Sequence, residues 1–127
     1  MVAAVETYLA TLRRTIPYLI GSIVSAPDGL LIAEDLPGYL EPTAVAALAA
    51  TQTSLAQRFT AHTYGVDLHN VVIRCGIGHI VIYPIGEPAS LVILAADAAD
   101  PDRIHMEAQP VVYNLAQLLA YSPLDSW

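Results

Sequence analysis

The sequence predicts an α+β fold, an antiparallel sheet flanked by helices, from three observations. Apolar residues near the N-terminus recur at spacings of three and four, a long alanine-rich run follows Pro42, and the remaining apolar runs are short and separated by turn residues. The predicted order is helix, β-hairpin, long helix, three-stranded meander and helix. A length of 127 residues suits one domain with its own core, so residues 1–127 are predicted to form a single domain.

The first helix is predicted over residues 2–16 and ends before Pro17, because the residue that precedes a proline avoids the helical conformation. Residues 18–25 and 30–34 then form the two strands of a hairpin. Asp28 and Gly29 lie in the turn between these strands and are assigned a structural role there. Glycine accepts the positive φ that many turns need, and aspartate bonds to nearby backbone amides.

The long helix is predicted from Pro42, a favourable first-turn residue, to about residue 62. Its many alanines give the segment a high helix propensity. Its larger apolar residues are few: Val45, Leu48, Leu55 and Phe59. A helix with so little bulk lets another backbone come close, so its small residues are candidates for packing against a second chain.

Three strands follow at residues 69–75, 79–83 and 90–96, with turns at 76–78 and 84–88. Their nearly continuous apolar character predicts a sheet that is covered on both faces. Asp100 and Pro101 indicate the start of the last helix, and Pro110 is expected to kink it. Residues 122–127 are expected to lie on the surface.

Composition excludes several classes of protein. Hydrophobic residues make up 55% of the chain and charged residues 13%, which excludes intrinsic disorder and indicates apolar surface that another chain covers. A net charge of −7, with five scattered arginines as the basic residues, argues against nucleic acid and against an anionic membrane surface as partners. No apolar stretch approaches the ~20 residues that cross a bilayer, so no membrane insertion is expected.

The single cysteine, Cys75, cannot form an intramolecular disulfide and fits a reducing compartment. The N-terminal segment lacks the basic and apolar regions of a signal peptide, so a cytoplasmic location is predicted. The absence of lysine beside abundant alanine indicates a GC-rich bacterial source.

Catalysis is not predicted. Cys75 with His69 or His79 is the best candidate for a nucleophile and its base, but no third group that would orient the histidine is evident. A lone cysteine in an apolar strand is more often a small core residue. The same three residues lack the spacing of a zinc site, and histidines at sheet margins are commonly solvated. Gly76 and Gly78 lack the helix and lysine of a phosphate-binding loop.

Three aspartates cluster after the last strand: Asp97, Asp100 and Asp102. They lack the loop pattern of a dedicated calcium site. Capping of the following helix explains Asp100 and Asp102 better, because carboxylates favour a helix N-terminus. No catalytic, metal or cofactor site is therefore expected.

The order of elements resembles the Roadblock/LC7 family over nearly the whole chain. The resemblance depends on the strand-turn-strand segment 20–33, where Asp28-Gly29-Leu30 matches the family's most recognisable hairpin, on the alanine-rich helix from Ala44 onward and on the strand at 90–94. It implies a five-stranded antiparallel sheet in the order 2-1-5-4-3, with the long helix on one face and the two terminal helices on the other, a profilin-like architecture. It also implies dimerisation through the long helix and the third strand.

Physical reasoning agrees on the dimer. If the strand at 69–75 lies at a sheet edge, it is apolar with only Arg74 as a charge, and a second copy covers it most simply. Gln52 and Arg58, on the polar face of the long helix, are predicted partner contacts. The residues predicted in the dimer interface are Ala46, Ala49, Ala50, Thr53, Gln57, Val71 and Ile73.

Bacterial members of this family work with Ras-like GTPases as regulators or scaffolds. The resemblance therefore implies a dimeric, non-catalytic regulatory or scaffold protein that binds a small Ras-like GTPase or an associated signalling complex. The alternative is a small-ligand sensor of profilin-like or PAS-like type, which should carry polar residues directed into a pocket. Ser22 and Tyr83 are the only obvious candidates, so the interaction module is favoured.

Overall fold

The structure is a computed structural model and describes residues 1–86 and 89–120. The predicted tail at 122–127 and part of the predicted turn at 84–88 lie outside the described residues. The helices and strands are, in chain order, α1 (Val2–Thr15), β1 (Leu19–Ser25), β2 (Leu31–Asp35), α2 (Pro42–Thr63), β3 (Val71–Cys75), β4 (Gly78–Ile85), β5 (Ala89–Ala96) and α3 (Pro101–Ala120).

The strands form one antiparallel sheet in the order β2-β1-β5-β4-β3. This confirms the predicted fold class and strand order. β4 is longer than predicted, because it stays paired with β5 through Pro84, which lies opposite Ser90. β3 begins only at Val71, opposite Ile82. Beyond that point β4 has a neighbour on one side only, where a proline without an N–H is tolerated.

Helices cover both faces of the sheet, as the apolar strands predicted. α1 and α3 share one face and form the larger core with it. The core residues there include Leu9, Leu12, Ile93, Ile104 and Leu115. Each of these side chains is at most 1% exposed, so this layer supplies most of the hydrophobic stabilisation.

Among the described helices, α2 is the one that covers the other face of the sheet. Its Ala46 and Ala49 pack against Ile23, Ile82 and Val92 of the strands. Alanine side chains are short, so the axis of α2 lies close to the sheet. Ala46 and Ala49 therefore serve the fold of one chain.

The β1–β2 turn is held by its own backbone and one side chain. Gly29 has a φ of 89°, a conformation that favours glycine, and its N–H donates to the Ala26 carbonyl at 2.9 Å. The Leu30 N–H donates to Asp28 Oδ1 at 3.1 Å. A Cβ on Gly29 would lie 3.3 Å from Ala47 Cα, so this turn also packs tightly against α2.

α3 begins with a capping aspartate. The Asp102 N–H donates to Asp100 Oδ1 and the Ile104 N–H donates to the Asp100 carbonyl, each at 3.0 Å. The helix then continues through Pro110 to Ala120. Among the described residues, no helix combines the length and the apolar character needed to span a membrane.

Candidate protein-interaction surface

β3 lies at one edge of the sheet, and β4 is its one neighbour among the described strands. It spans five residues, of which Arg74 is the one charged residue. Val72 is 56% exposed, and Val71 and Ile73 are half-buried. An edge strand presents N–H and C=O groups that have no partner in the sheet, and a flat apolar edge is a template for another strand.

The opposite edge strand, β2, carries charged side chains. β2 carries Glu34 and Asp35, and Arg13 of α1 reaches its end. The Arg13 guanidinium lies 2.5 Å from an Asp35 carboxylate oxygen and also donates to the Ile20 carbonyl at 2.9 Å. Charged residues of this kind discourage edge-to-edge pairing. β3 is therefore the edge that is better suited to a partner.

α2 has a second apolar surface on the side away from the sheet. Leu48 is 68% exposed, Leu55 56% and Phe59 71%. These positions are seven and four residues apart, so they share one side of the helix. We call Leu48, Leu55 and Phe59 the outer stripe of α2. Large apolar side chains that recur on one exposed face indicate an interaction site more often than scattered ones do.

Several residues predicted in the dimer interface occupy other places. Ala46, Ala49 and Thr53 are buried beneath α2. The Thr53 hydroxyl donates to the Ala49 carbonyl at 2.9 Å and accepts from Ser90 at 3.3 Å. This placement corrects the predicted helix surface, because the chain's own sheet already covers these side chains.

The remaining predicted interface residues are accessible to different degrees. Ala50 is half-buried and Gln57 is exposed, and both line a small cavity of about 140 Å³ beside α2. Val71 and Ile73 are half-buried on β3. The β3 residues therefore lie at an open edge, whereas the helix residues lie to the side of the outer stripe.

The outer stripe is what the sequence reasoning missed. Its signal was present, since Leu48, Leu55 and Phe59 are three of the few large apolar residues of the helix. Their spacing of seven and four residues predicts one helical face. The predicted interface does not include that face, because it assigns close packing to the alanines; Ala46 and Ala49 do pack closely, but against the sheet.

Gln52 and Arg58, the predicted partner contacts, are both exposed on α2. Arg58 lines a shallow groove of about 450 Å³ between α2 and the β1–β2 turn, with Pro27 and Asp28 on the other wall. The groove lies beside Leu55. Arg58 therefore sits at the rim of the outer stripe, where a charge can contact a partner without being buried.

The structure separates the residues considered for catalysis. Cys75 lies opposite Gly78 in the β3–β4 ladder, so these two share a face of the sheet, and His79 points to the other face. Cys75 is exposed and its Sγ lies 3.6 Å from the Gly78 carbonyl, whereas His79 is 6% exposed. Cys75 is thus not the core residue predicted, and His79 is not solvated. The described residues contain no cluster of three or more metal-ligating side chains.

Tyr83, predicted as an inward polar residue, is 3% exposed on the face shared by α1 and α3. Its hydroxyl oxygen lies 3.3 Å from His105 Nδ1, and the two rings stack with centroids 5.9 Å apart. Burial raises the pKa of Tyr83 to about 12. An open groove of about 670 Å³ beside this pair is lined by Leu68, His69, Asn70, Tyr83, His105, Gln109 and Val112.

Ser22, the other inward candidate, is fully buried in β1. Within the described residues its hydroxyl oxygen has no hydrogen-bond partner, and the same holds for Ser25. Ser22 does not line the groove beside Tyr83. The two predicted inward residues therefore do not form one pocket.

A five-stranded sheet with one helix on one face and two on the other is a profilin-like fold. The sequence pattern of the Roadblock/LC7 domain matches residues 7–95, and the chain belongs to the Roadblock/LC7 family. No curated protein matches the sequence.

Solved structures agree with this assignment. A Roadblock/LC7 domain from Streptomyces avermitilis superposes with a TM-score of 0.82 at 22% identity, covering 90% of this chain and 96% of that one. MglB from Myxococcus xanthus gives 0.87 at 11% identity, with 94% and 90% covered. Profilin IA from Acanthamoeba castellanii gives 0.59 at 15% identity, with 91% and 96% covered. At such identities the likeness shows the fold alone.

Proposed function

We propose that the chain forms a homodimer through β3 and the outer stripe of α2, and that the dimer is a non-catalytic platform for a small Ras-like GTPase. The observation that carries the proposal is the combination of an open apolar sheet edge with an exposed apolar stripe on the neighbouring helix. Neither feature is needed by the fold of one chain.

A second copy is the occupant that covers both features with one contact. In a twofold arrangement each surface meets its own copy, so one patch is used twice. Pairing of β3 with β3 satisfies the free backbone groups of both edges. The contacts between α2 and the strands include β3, so a twofold axis at the β3 edge also brings the α2 helices of the two copies toward each other.

Family membership supports the GTPase part of the proposal, because bacterial members of the Roadblock/LC7 family work with Ras-like GTPases. One similar structure is described as MglB with a tetrameric arrangement; it has a TM-score of 0.81 at 14% identity, which supports assembly as a property of the fold. For this chain Arg58 is the one arginine on α2, which contains no lysine, aspartate or glutamate. We propose that it contacts an acidic part of the GTPase at the rim of the outer stripe.

The side chains of Cys75, on β3, and His79, on β4, point to opposite faces of the sheet. This separation supports a non-catalytic role. No reason exists to assign Arg58 a role in GTP hydrolysis, which would require it to reach the transferred phosphate. The platform therefore acts through binding.

Titration of the purified protein with a small Ras-like GTPase from the same organism tests the partner. The GTPase is loaded with GDP in one series and with a non-hydrolysable GTP analogue in the other, and affinity is measured by calorimetry. Saturable binding in at least one nucleotide state is expected. Absence of binding in both states, with a dimer present, would contradict the GTPase assignment.

Arg58→Ala is the matching variant, with Arg103→Ala as its control. Arg103 is an exposed arginine of α3 that pairs with Glu107 at 3.2 Å, away from the proposed interface. Loss of the Arg58 contact is expected to weaken GTPase binding roughly fivefold or more, equivalent to about 1 kcal/mol, while Arg103→Ala leaves it unchanged. If Arg58→Ala and Arg103→Ala bind the GTPase with equal affinity, Arg58 is not part of the contact.

The sensor alternative has one observation in its favour, the groove beside Tyr83 and His105. Its volume of about 670 Å³ is within the range of small-molecule sites. Native mass spectrometry separates the two functions. A dimer without added mass supports the platform, whereas a monomer that carries a bound small molecule supports the sensor.

A further inference from the structure

We infer that the two copies pair through β3 in one register, with the twofold axis at Ile73, so that Val72 of one copy lies opposite Arg74 of the other. This inference rests on the proposed homodimer and specifies how its sheet is joined. Three observations support it: the hydrogen-bond pattern of β4, the length of β3 and the position of Arg74, the charged residue of β3.

The backbone pattern identifies which β3 groups are free. The Asp97 N–H donates to the Ile77 carbonyl at 3.0 Å, so Ile77 and the alternate residues that follow it, such as His79, bond towards β5. Gly78 and the alternate residues after it then bond towards β3, because hydrogen-bonding direction alternates along a strand. Their partners on β3 are Cys75, Ile73 and Val71. The N–H and C=O groups of Val72 and Arg74 therefore point outward from the edge.

The side-chain faces follow from the same ladder. Val71 packs with the cluster beneath α2, and Ile73 and Cys75 share its face because side chains alternate along a strand. Val72 lies opposite Val81, which belongs to the core under α1 and α3. A second β3 must preserve these faces, so residues directly opposite each other across the axis must both be odd-numbered or both even-numbered.

An axis at Ile73 is the one that uses the whole strand. β3 runs from Val71 to Cys75, so Ile73 is its midpoint and every residue of the strand then has a counterpart. The outward groups of Val72 meet those of Arg74 in the second copy, and such a pair exchanges both of its hydrogen bonds. Each Arg74 side chain then lies beside an apolar Val72 and not beside a like charge.

The neighbouring registers are less favourable. An axis at Arg74 sets the two guanidinium groups directly opposite each other, and like charges in that position are destabilising. An axis at Val72 removes Cys75 from the strand-to-strand pairing and requires Asn70, which precedes β3, to extend the ladder. The register at Ile73 requires neither change.

This register also has a consequence for the native thiol. Cys75 then lies opposite Val71 of the second copy, and the two Cys75 residues are four positions apart along the strands, about 13 Å at ~3.3 Å per residue. A disulfide needs Cα atoms within roughly 7 Å. The wild-type dimer is therefore expected to resist disulfide crosslinking although Cys75 is exposed.

A cysteine scan of β3 tests the register. Single cysteines are introduced at positions 71, 72, 73 and 74 in a Cys75→Ser background, and each dimer is oxidised and run on a non-reducing gel. Ile73→Cys alone is expected to give a covalent dimer, because opposite residues that do not share hydrogen bonds have Cα atoms about 4.5 Å apart. Val71→Cys is then made with native Cys75 retained, and it too is expected to crosslink.

The readouts distinguish the register from the dimer itself. Sedimentation of each reduced variant reports whether the dimer is present and circular dichroism reports whether the chain is folded. Crosslinking at position 72 or 74 in place of 73 would contradict the proposed register but remain consistent with a dimer that pairs through β3. A folded dimer in which neither Ile73→Cys nor Val71→Cys with native Cys75 crosslinks would also overturn it. A folded monomer at micromolar concentration would overturn the proposed function.

Discussion

Replacing Phe59 with serine removes the largest side chain of the outer stripe. In one chain this change should have little effect on folding, because Phe59 is 71% exposed and most of its surface is already in water. In the proposed dimer the same surface is buried against the second copy. The substitution therefore weakens association while leaving the stability of the monomer nearly unchanged.

The magnitude follows from the exposed area. A buried phenylalanine removes on the order of 150–250 Å² from water, and 71% exposure leaves on the order of 110 Å² or more still to be covered. At ~25 cal/mol per Å² this is roughly 2.7 kcal/mol for each copy and about 5 kcal/mol for the pair. Since about 1.4 kcal/mol is a tenfold change in affinity, about 5 kcal/mol corresponds to a dissociation constant that rises roughly 4,000-fold.

Sedimentation equilibrium over a range of concentrations measures this change. Tyr113→Ser is the matched control, because Tyr113 is 66% exposed but belongs to α3 on the other side of the sheet. It should leave the dimer constant unchanged. If Phe59→Ser and Tyr113→Ser dimerise as well as the wild type, while both remain folded, the outer stripe is not part of the interface.

Three further predictions concern the fold of one chain. Gly29→Ala should lower the free energy of unfolding by roughly 1–2 kcal/mol, because residue 29 has a φ of 89°. Gly38→Ala is the control in urea unfolding, because a Cβ there meets nothing within 4 Å. Equal unfolding midpoints for the two variants would contradict the turn argument. Ser22→Ala should leave stability unchanged or raise it by about 1 kcal/mol, because it removes a buried hydroxyl with no partner in the described residues; a clear loss in urea would contradict this. Because burial raises the pKa of Tyr83 to about 12, its contribution to stability is fully present below the ordinary tyrosine pKa of ~10 and is lost as the pH rises towards 12. Tyr83→Phe should flatten that alkaline decline, and an unchanged decline would contradict the assignment.

The layout of the fold was predictable because its signals are local. Helical spacing, the Asp28-Gly29 turn and the short apolar runs each depend on a few neighbouring residues. The strand order came from the family resemblance and not from these patterns. The end of β4 was missed because Pro84 ordinarily interrupts a strand, and its tolerance here depends on where a distant strand, β3, begins.

The orientation of α2 was not predictable from its composition. Alanine occurs on every side of this helix, so it marks no face, and the larger residues were too few to settle which side is buried. In the structure Ala46 and Ala49 are buried and Leu48, Leu55 and Phe59 are exposed. The usual rule that large apolar residues face the core fails here, and such failures are typical of interaction surfaces.

The length of the β3–β4 turn determines which face of the sheet each β4 side chain shares with the side chains of β3. The sequence suggested a turn of residues 76–78, but the observed turn is Gly76-Ile77, with Gly78 paired to Cys75. A Cβ on Gly78 would lie 2.3 Å from the Ala95 carbonyl oxygen, so this position needs glycine inside the strand. One residue of difference reverses every face that follows, which is why His79 is buried away from Cys75.

Amide hydrogen exchange at Val72 and Arg74, followed at concentrations well above and well below the dimer dissociation constant, probes the joined sheet directly. Both N–H groups point away from β4, and no strand of the described residues pairs with them there, so pairing with a second β3 would protect them. Slow exchange in the concentrated sample and rapid exchange after dilution are the expected result. Rapid exchange at both concentrations, in a folded chain, would mean that no second β3 lies at this edge.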